Sequence, residues 1–238
     1  MKKIQPYEKA VLSAKNQFIK ISGKESWLRE SDFALAHSLE LHNCEPESIT
    51  RAVLNIAYTG TTISQVYRES FLVARDGKCF LDFSYRGLIK IATSEGAVTS
   101  MSAGVIYSWD TMDCRQGTGA YLHIVPSMNP PKDPDEIARN PKLIWEFVKC
   151  AYSVATFPNG QQDFIIAPKW KLLKTWNSTG ASANGINQAW PEEWIRKTAV
   201  IYHSKTLPRA QKLVAAVSVL NEHEGVSVRK KKSKSRLV

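Results

Sequence analysis

Several things are scarce or missing in this chain of 238 residues, and each absence removes a class of function. A phosphate-binding loop needs Gly, four residues, then Gly-Lys-Ser/Thr. The Gly-Lys pairs are "GKE" at 23–25 and "GKC" at 77–79, and neither fits, so no ATP chemistry is expected. Cysteine occurs four times, at 44, 79, 114 and 150, with no CxxC pair. That argues against a zinc site and suits a reducing compartment. The opening "MKKIQPYEKAVLSAK" carries two lysines but no long apolar run, so neither a signal peptide nor a membrane span is expected. The expectation is a soluble intracellular protein.

Catalytic constellations are scarce too. A metal-dependent nuclease needs clustered carboxylates. Asp82, Asp110 and Asp113 lie near expected strand ends, but at no spacing that defines such a site. The five histidines (37, 42, 123, 203, 223) have no distinctive pairing with serine or cysteine. By this reading His123 is a strand residue and His203 a helix surface residue.

What the chain does have is positive charge. Lysine and arginine total 32 against 22 acidic residues, a net charge of +10. Such an excess points to a polyanionic partner. The tail "RKKKSKSRLV" at 229–238 holds six cations, and 32 less six leaves 26 against 22, or +4 for the body. A run of this kind reads as a solvated flexible arm that adds non-specific affinity for nucleic acid. Hydrophobic residues make up 43% of the chain, enough for a real core.

Along the chain, residues 1–20 form an amphipathic pattern anchored by Val11, Leu12, Phe18 and Ile19. "SWLRESDFALAHSLE" (26–40) is helical, with Trp27, Phe33, Leu35 and Leu39 on one side. "EPESITRAVLNIAYTG" (45–60) starts on Pro46 and stops on Gly60. Asp76-Gly77 between apolar runs is a tight hairpin. "YRGLIKIATSEG" (85–96) is a short helix stopped by Gly96, and Gly87 either admits a phosphate or makes room for packing. "AVTSMSAGVIYSWD" (97–110) alternates like a strand, with "GAYLHIVP" (119–126) as its expected partner. Residues 129–142 read as a proline-rich loop, and Asn159-Gly160 marks a second hairpin. "KWKLLKTWNS" (169–178) is a helix whose Trp170 and Trp176 are read as core residues, and 179–188 is a mobile loop.

"WPEEWIRKTAVIYHSKTLPRA" (190–210) is the segment of most interest. Pro191, Glu192 and Glu193 suit a first turn, and Pro208 limits the far end. Ile195, Ala199, Tyr202 and Thr206 recur at core spacing, beside Arg196, Lys197, His203, Lys205 and Arg209. "RAQKLVAAVSVLNEHEG" (209–225) is a last helix. The order implies an α+β fold: central antiparallel sheet and hairpins with packed helices, an N-terminal helical region and a basic C-terminal tail. The expected divisions are 1–60, 61–225 and 226–238.

These residues resemble a known family. "FSYRGLIKIATSEGAVTSMSAGVIYSWD" (83–110) is similar to the core of the RecT family of phage single-strand annealing proteins. The second hairpin, the helix from about Pro168, and a helix with Trp190, Lys197-Thr198-Ala199 and Leu207-Pro208 follow in the family's order. The likeness covers roughly 45–215. It implies an ATP-independent protein, not an enzyme, that binds single-stranded DNA and anneals complementary strands during homologous recombination. It also implies a homo-oligomer, a ring or helical filament, that holds the nascent duplex in a basic groove. The implied partners are a 5′-to-3′ exonuclease and the host single-strand-binding protein. The implied setting is the cytoplasm of a bacterial host, with the chain encoded by a phage or prophage. No cofactor is expected, beyond Mg2+ accompanying the DNA. Carried over by position, the DNA-binding candidates are Arg86, Arg196, Lys197 and Lys205, with Lys169, Lys171 and Lys174 on the preceding helix. His203 is a weaker candidate, in "VIYHSK", where relatives often carry two basic residues. Passive coating of single strands is the alternative, and a metal-dependent nuclease the third reading.

Overall fold

Two apolar cores organise the molecule, and each grows from segments far apart in sequence. The computed structural model describes residues 4–36, 41–117, 119–130, 132–178 and 185–223. The basic tail and residues 179–184 of the polar loop lie outside the described residues.

The first core begins with four helices, α1 (Pro6–Ser13), α2 (Lys15–Ser22), α3 (Lys24–Ala36) and α4 (Pro46–Thr59). The single amphipathic segment read over 1–20 is two helices. Ala14 N–H donates to Val11 at 3.1 Å, tightening the turn that joins them. Val11 and Phe18 are fully buried, and Phe18 meets Trp27 edge-on at 5.4 Å between centroids. Leu12, expected as an anchor, is 43% exposed, because it sits one step off the buried stripe. Gly60 ends α4 in a left-handed conformation (φ 66°), a geometry that suits glycine.

A hairpin packs on α4. Strands β1 (Ser70–Arg75) and β2 (Lys78–Phe83) pair antiparallel, closing at Arg75 opposite Lys78. The intervening Asp76 and Gly77 both have positive φ (50° and 72°), as a two-residue primed turn demands. Helix α5 (Tyr85–Ser94) follows at once, capped by Ser84, whose hydroxyl accepts from Gly87 N–H at 3.0 Å. Gly87 is decided by packing. A Cβ there would lie 2.1 Å from the Glu69 carbonyl oxygen, so only glycine lets α5 approach the segment entering β1.

The second core lies under a three-stranded antiparallel sheet ordered β3–β6–β7, from Ser100–Tyr107, Val148–Thr156 and Gln162–Pro168. This corrects the expected pairing of 97–110 with 119–126. Strand β5 (Tyr121–Val125) pairs instead with β4 (Thr111–Arg115) in a separate ribbon. The reason is burial: β5 alternates between exposed and half-exposed, which suits a ribbon, whereas β3 has helices packed against it. The β6–β7 connection covers 157–161; Phe157 N–H donates to the Gln161 carbonyl at 2.8 Å and closes a three-residue loop of Pro158, Asn159 and Gly160, in which Gly160 alone has positive φ (79°).

The stretch 129–142 is not wholly loop. Asp133 caps a short helix, α6 (Pro134–Arg139), with acids in its first turn and Arg139 in its last. A 3-10 turn (Pro141–Leu143) and the one-turn α7 (Ile144–Phe147) lead into β6. Helices α8 (Lys169–Ser178), α9 (Gly185–Ala189), α10 (Pro191–Ser204) and α11 (Gln211–His223) complete the described residues. Helix α10 packs on β3, β6, β7 and α5, joining the two cores, and α11 returns to α4 and α5. The fold is α+β, with antiparallel pairing throughout the described strands.

Gly87→Ala tests the close approach of α5. It should lower the melting temperature by roughly 6–12 °C, for an overpacking penalty of about 3 kcal/mol. An unchanged melting curve would mean that the Glu69 carbonyl does not confine this position.

Candidate nucleic-acid interface

Helix α10 carries the central cations, and its burial determines where they point. Ile195, Thr198, Ala199, Val200, His203 and Ser204 are enclosed, while Arg196, Lys197, Tyr202 and Lys205 are half-buried. Tyr202 is thus partly in the core as expected, but Thr206 is exposed beyond the helix end. At the N-terminal end, Tyr107 of β3 donates its hydroxyl to Glu192. Burial and this bond to a carboxylate push the Tyr107 hydroxyl well above its ordinary pKa.

Two acids hold three cations. Glu193 Oε1 takes Arg196 Nη1 at 2.6 Å. Asp82 on β2 takes Lys197 Nζ at 2.9 Å and Arg75 Nη2 at 3.3 Å. The Arg75–Asp82–Lys197 trio keeps a net charge of +1. Arg86 is exposed on the first turn of α5, with its guanidinium 5.8 Å from the Tyr85 ring centroid. The Tyr85 hydroxyl, accepting from Arg86 Nε at 3.4 Å, raises the arginine's pKa.

The remaining lysines flank α10 on its other side. Lys171 Nζ lies 4.1 Å from the Tyr202 ring centroid, a cation–π contact. Lys169 Nζ donates to the Glu146 carbonyl at 3.2 Å, and Lys174 is exposed on the same helix. Lys205 caps the C-terminal end of α10. Trp176 packs edge-on against Trp194 at 4.9 Å, and Trp145 meets Trp176 at 5.1 Å, so Trp176 is core as expected. Trp170, expected to be core, is 67% exposed beside Lys169 and Lys171. It occupies the solvent side of α8, opposite buried Leu172 and Trp176.

His203 is not a surface residue. It is fully buried beneath α10, with Nδ1 3.0 Å from Ser153 Oγ of β6 and Nε2 3.4 Å from Asp163 Oδ2 of β7. Helical spacing put it on the side of Arg196, but α10 tilts that side into the sheet at its C-terminal end. A phosphate cannot reach it there. Ser153, His203 and Asp163 align as a relay, yet Ser153 is itself fully buried and can meet no substrate. Burial pushes the His203 imidazole below its ordinary value, against the upward pull of Asp163. The neutral ring is satisfied when Nδ1 accepts from Ser153 and Nε2–H donates to Asp163.

Sequence reasoning missed Arg75 and Asp82 as members of this surface. The Asp82–Lys197 pair spans 115 positions, and no local pattern signals it. Among the described residues no group of three or more His, Cys, Asp or Glu could hold a metal ion. Among them, too, no helix is long and apolar enough to cross a membrane.

The structure is an α+β scaffold whose α10 carries acid-paired cations, Arg196 with Glu193 and Lys197 with Asp82. The chain matches the RecT family over residues 27–234, nearly its whole length, and belongs to that family. RecT proteins are phage single-strand annealing proteins of DNA recombination, which bind single-stranded DNA and form oligomers. No curated protein matches the chain.

The His203 arrangement has a pH signature. Its folded-state pKa is lowered from 6.5, so its contribution to stability is complete above about pH 6.5 and is lost as pH falls below it, where the unfolded chain takes up the proton first. His203→Gln should be less stable than the parent at pH 7.5 but lose less stability on acidification to pH 5.5, by urea midpoints. Parallel losses in both proteins would remove His203 from the account.

Proposed function

We propose that the chain anneals complementary DNA strands without ATP, as a homo-oligomer, and makes or breaks no covalent bond. The observation that carries this reading is the set of paired cations on and beside α10, Arg196 held by Glu193 and Lys197 held with Arg75 by Asp82, set beside family membership. Two DNA strands repel each other. Cations that neutralise phosphates remove that barrier and release counterions. The protein holds one strand by its backbone, its bases stay free, and Watson–Crick pairing does the selecting. Each correct step gains stacking of roughly 1.4 kcal/mol, and mismatches stall the zipper.

Multimerisation follows from length. One chain covers few nucleotides, and short pairings are unstable. A ring or filament aligns many sites along one strand and raises the effective concentration of pairing bases. The N-terminal helices are the proposed subunit contacts, since Ile4, Leu12, Ile21, Leu28 and Tyr58 are exposed apolar residues there. Lys169, Lys171, Lys174 and Lys205 extend the cationic surface around α10, and the tail at 226–238 adds non-specific affinity. A 5′-to-3′ exonuclease supplies the single strands, and the host single-strand-binding protein is the natural competitor for them. The chain acts in the bacterial cytoplasm.

Arg86→Ala and Arg196→Ala should each weaken binding to single strands of every sequence alike. Each should also make the slope of log affinity against log salt shallower by about 0.7. Folded variants with the parent slope would remove Arg86 and Arg196 from the binding surface.

A further inference from the structure

Between α4 and β1 the chain makes a loop whose inner and outer surfaces differ sharply. Thr61, Thr62, Ser64, Glu69 and Ser70 are buried, while Gln65, Val66, Tyr67 and Arg68 are exposed. Val66 is 85% exposed and Tyr67 64%. The inner side is a polar lattice. Glu30 of α3, itself fully buried, accepts from Thr62 Oγ1 and Ile63 N–H, each at 3.0 Å. Glu69 accepts from Thr62 N–H at 3.1 Å and from Lys90 Nζ at 2.7 Å. Arg68 N–H closes onto the Ser64 carbonyl at 3.0 Å, and the Arg68 carbonyl accepts from Ser84 Oγ at 2.6 Å.

This tip is therefore rigid yet displays an aromatic ring to water. Arg68 is held at φ 51°, a left-handed conformation that costs a non-glycine residue roughly 1 kcal/mol. The hydrogen bond to Ser84 also places the tip next to the start of α5, where Tyr85 and Arg86 emerge. Both carboxylates under the loop are already engaged: Glu30 with Arg29 at 2.8 Å and Glu69 with Lys90. Neither one opposes an anion at the tip.

From an exposed ring on a preorganised base, next to exposed Arg68 and tied through Ser84 to the start of α5 that carries exposed Arg86, we infer that the Gln65–Arg68 loop is a base-stacking contact for single-stranded DNA. The Tyr67 ring stacks on one unpaired base, and Arg68 and Arg86 take the phosphates on either side. This rests on the annealing reading but adds a base contact to a backbone-only grip. Stacking is tolerant of sequence because every base has a π-face, so it leaves selection to the second strand.

The test compares Tyr67→Ala and Tyr67→Phe with the parent, all as full chains. Their affinities are measured for an oligothymidylate and for an abasic strand of equal length, and their assembly by light scattering. Tyr67→Ala should bind the oligothymidylate about 5- to 100-fold more weakly, bind the abasic strand like the parent, and assemble normally. Tyr67→Phe, which keeps the ring, should match the parent throughout. Equal affinities of Tyr67→Ala and the parent for oligothymidylate would overturn the inference and leave the annealing reading intact. Lost assembly with unchanged affinity per subunit would overturn it differently, making the loop a contact with a second copy. A parent that binds neither strand would refute the annealing reading itself.

Discussion

Much of this structure depends on one close approach, the Glu69 carbonyl against the first turn of α5 at Gly87. A single Cβ would break it. Through it the segment entering β1 lies against the helix leaving β2. The Glu69 side chain then reaches Lys90 on that helix and the Thr62 amide in the preceding loop. With α5 fixed, α10 packs across it and over the sheet. The cations of the candidate interface are thus placed by a backbone contact that itself carries no charge.

The electrostatic design is economical in acids. An exposed ion pair contributes little to stability, on the order of 0–1 kcal/mol, and is screened by salt. Glu193 and Asp82 are better understood as positioning groups. Glu193 restrains Arg196, and Asp82 restrains Arg75 and Lys197, long side chains that would otherwise lose their conformational freedom only on binding. Lys197, half-buried against Asp82, is anchored more firmly than Arg86, which keeps its guanidinium at the surface.

Local chemistry was legible in the sequence, and depth was not. Asp76-Gly77 announced its turn because both residues must adopt positive φ, and Pro46 and Gly60 marked the ends of α4. The segment from Phe83 to Asp110 carried the family likeness, and the family match bears it out. The partner of β3 was misread because strand alternation says which residues share a face, not which strand lies alongside. The true partner, β6, starts more than forty residues downstream of β3, beyond the nearer candidate. His203 failed for a related reason: helical spacing placed it on the Arg196 side but could not say that this side descends onto Ser153 and Asp163. The loop at 65–68 gave no signal, since its order comes from buried groups on α3 and α5 rather than from its own residues.

The most direct measurement is the rate at which two complementary labelled oligonucleotides form duplex without ATP, across a salt series. The account predicts duplex formation well above the rate without protein, slowing steadily as salt rises. Tight binding with no acceleration at any salt would contradict it, leaving a protein that coats single strands and does not pair them.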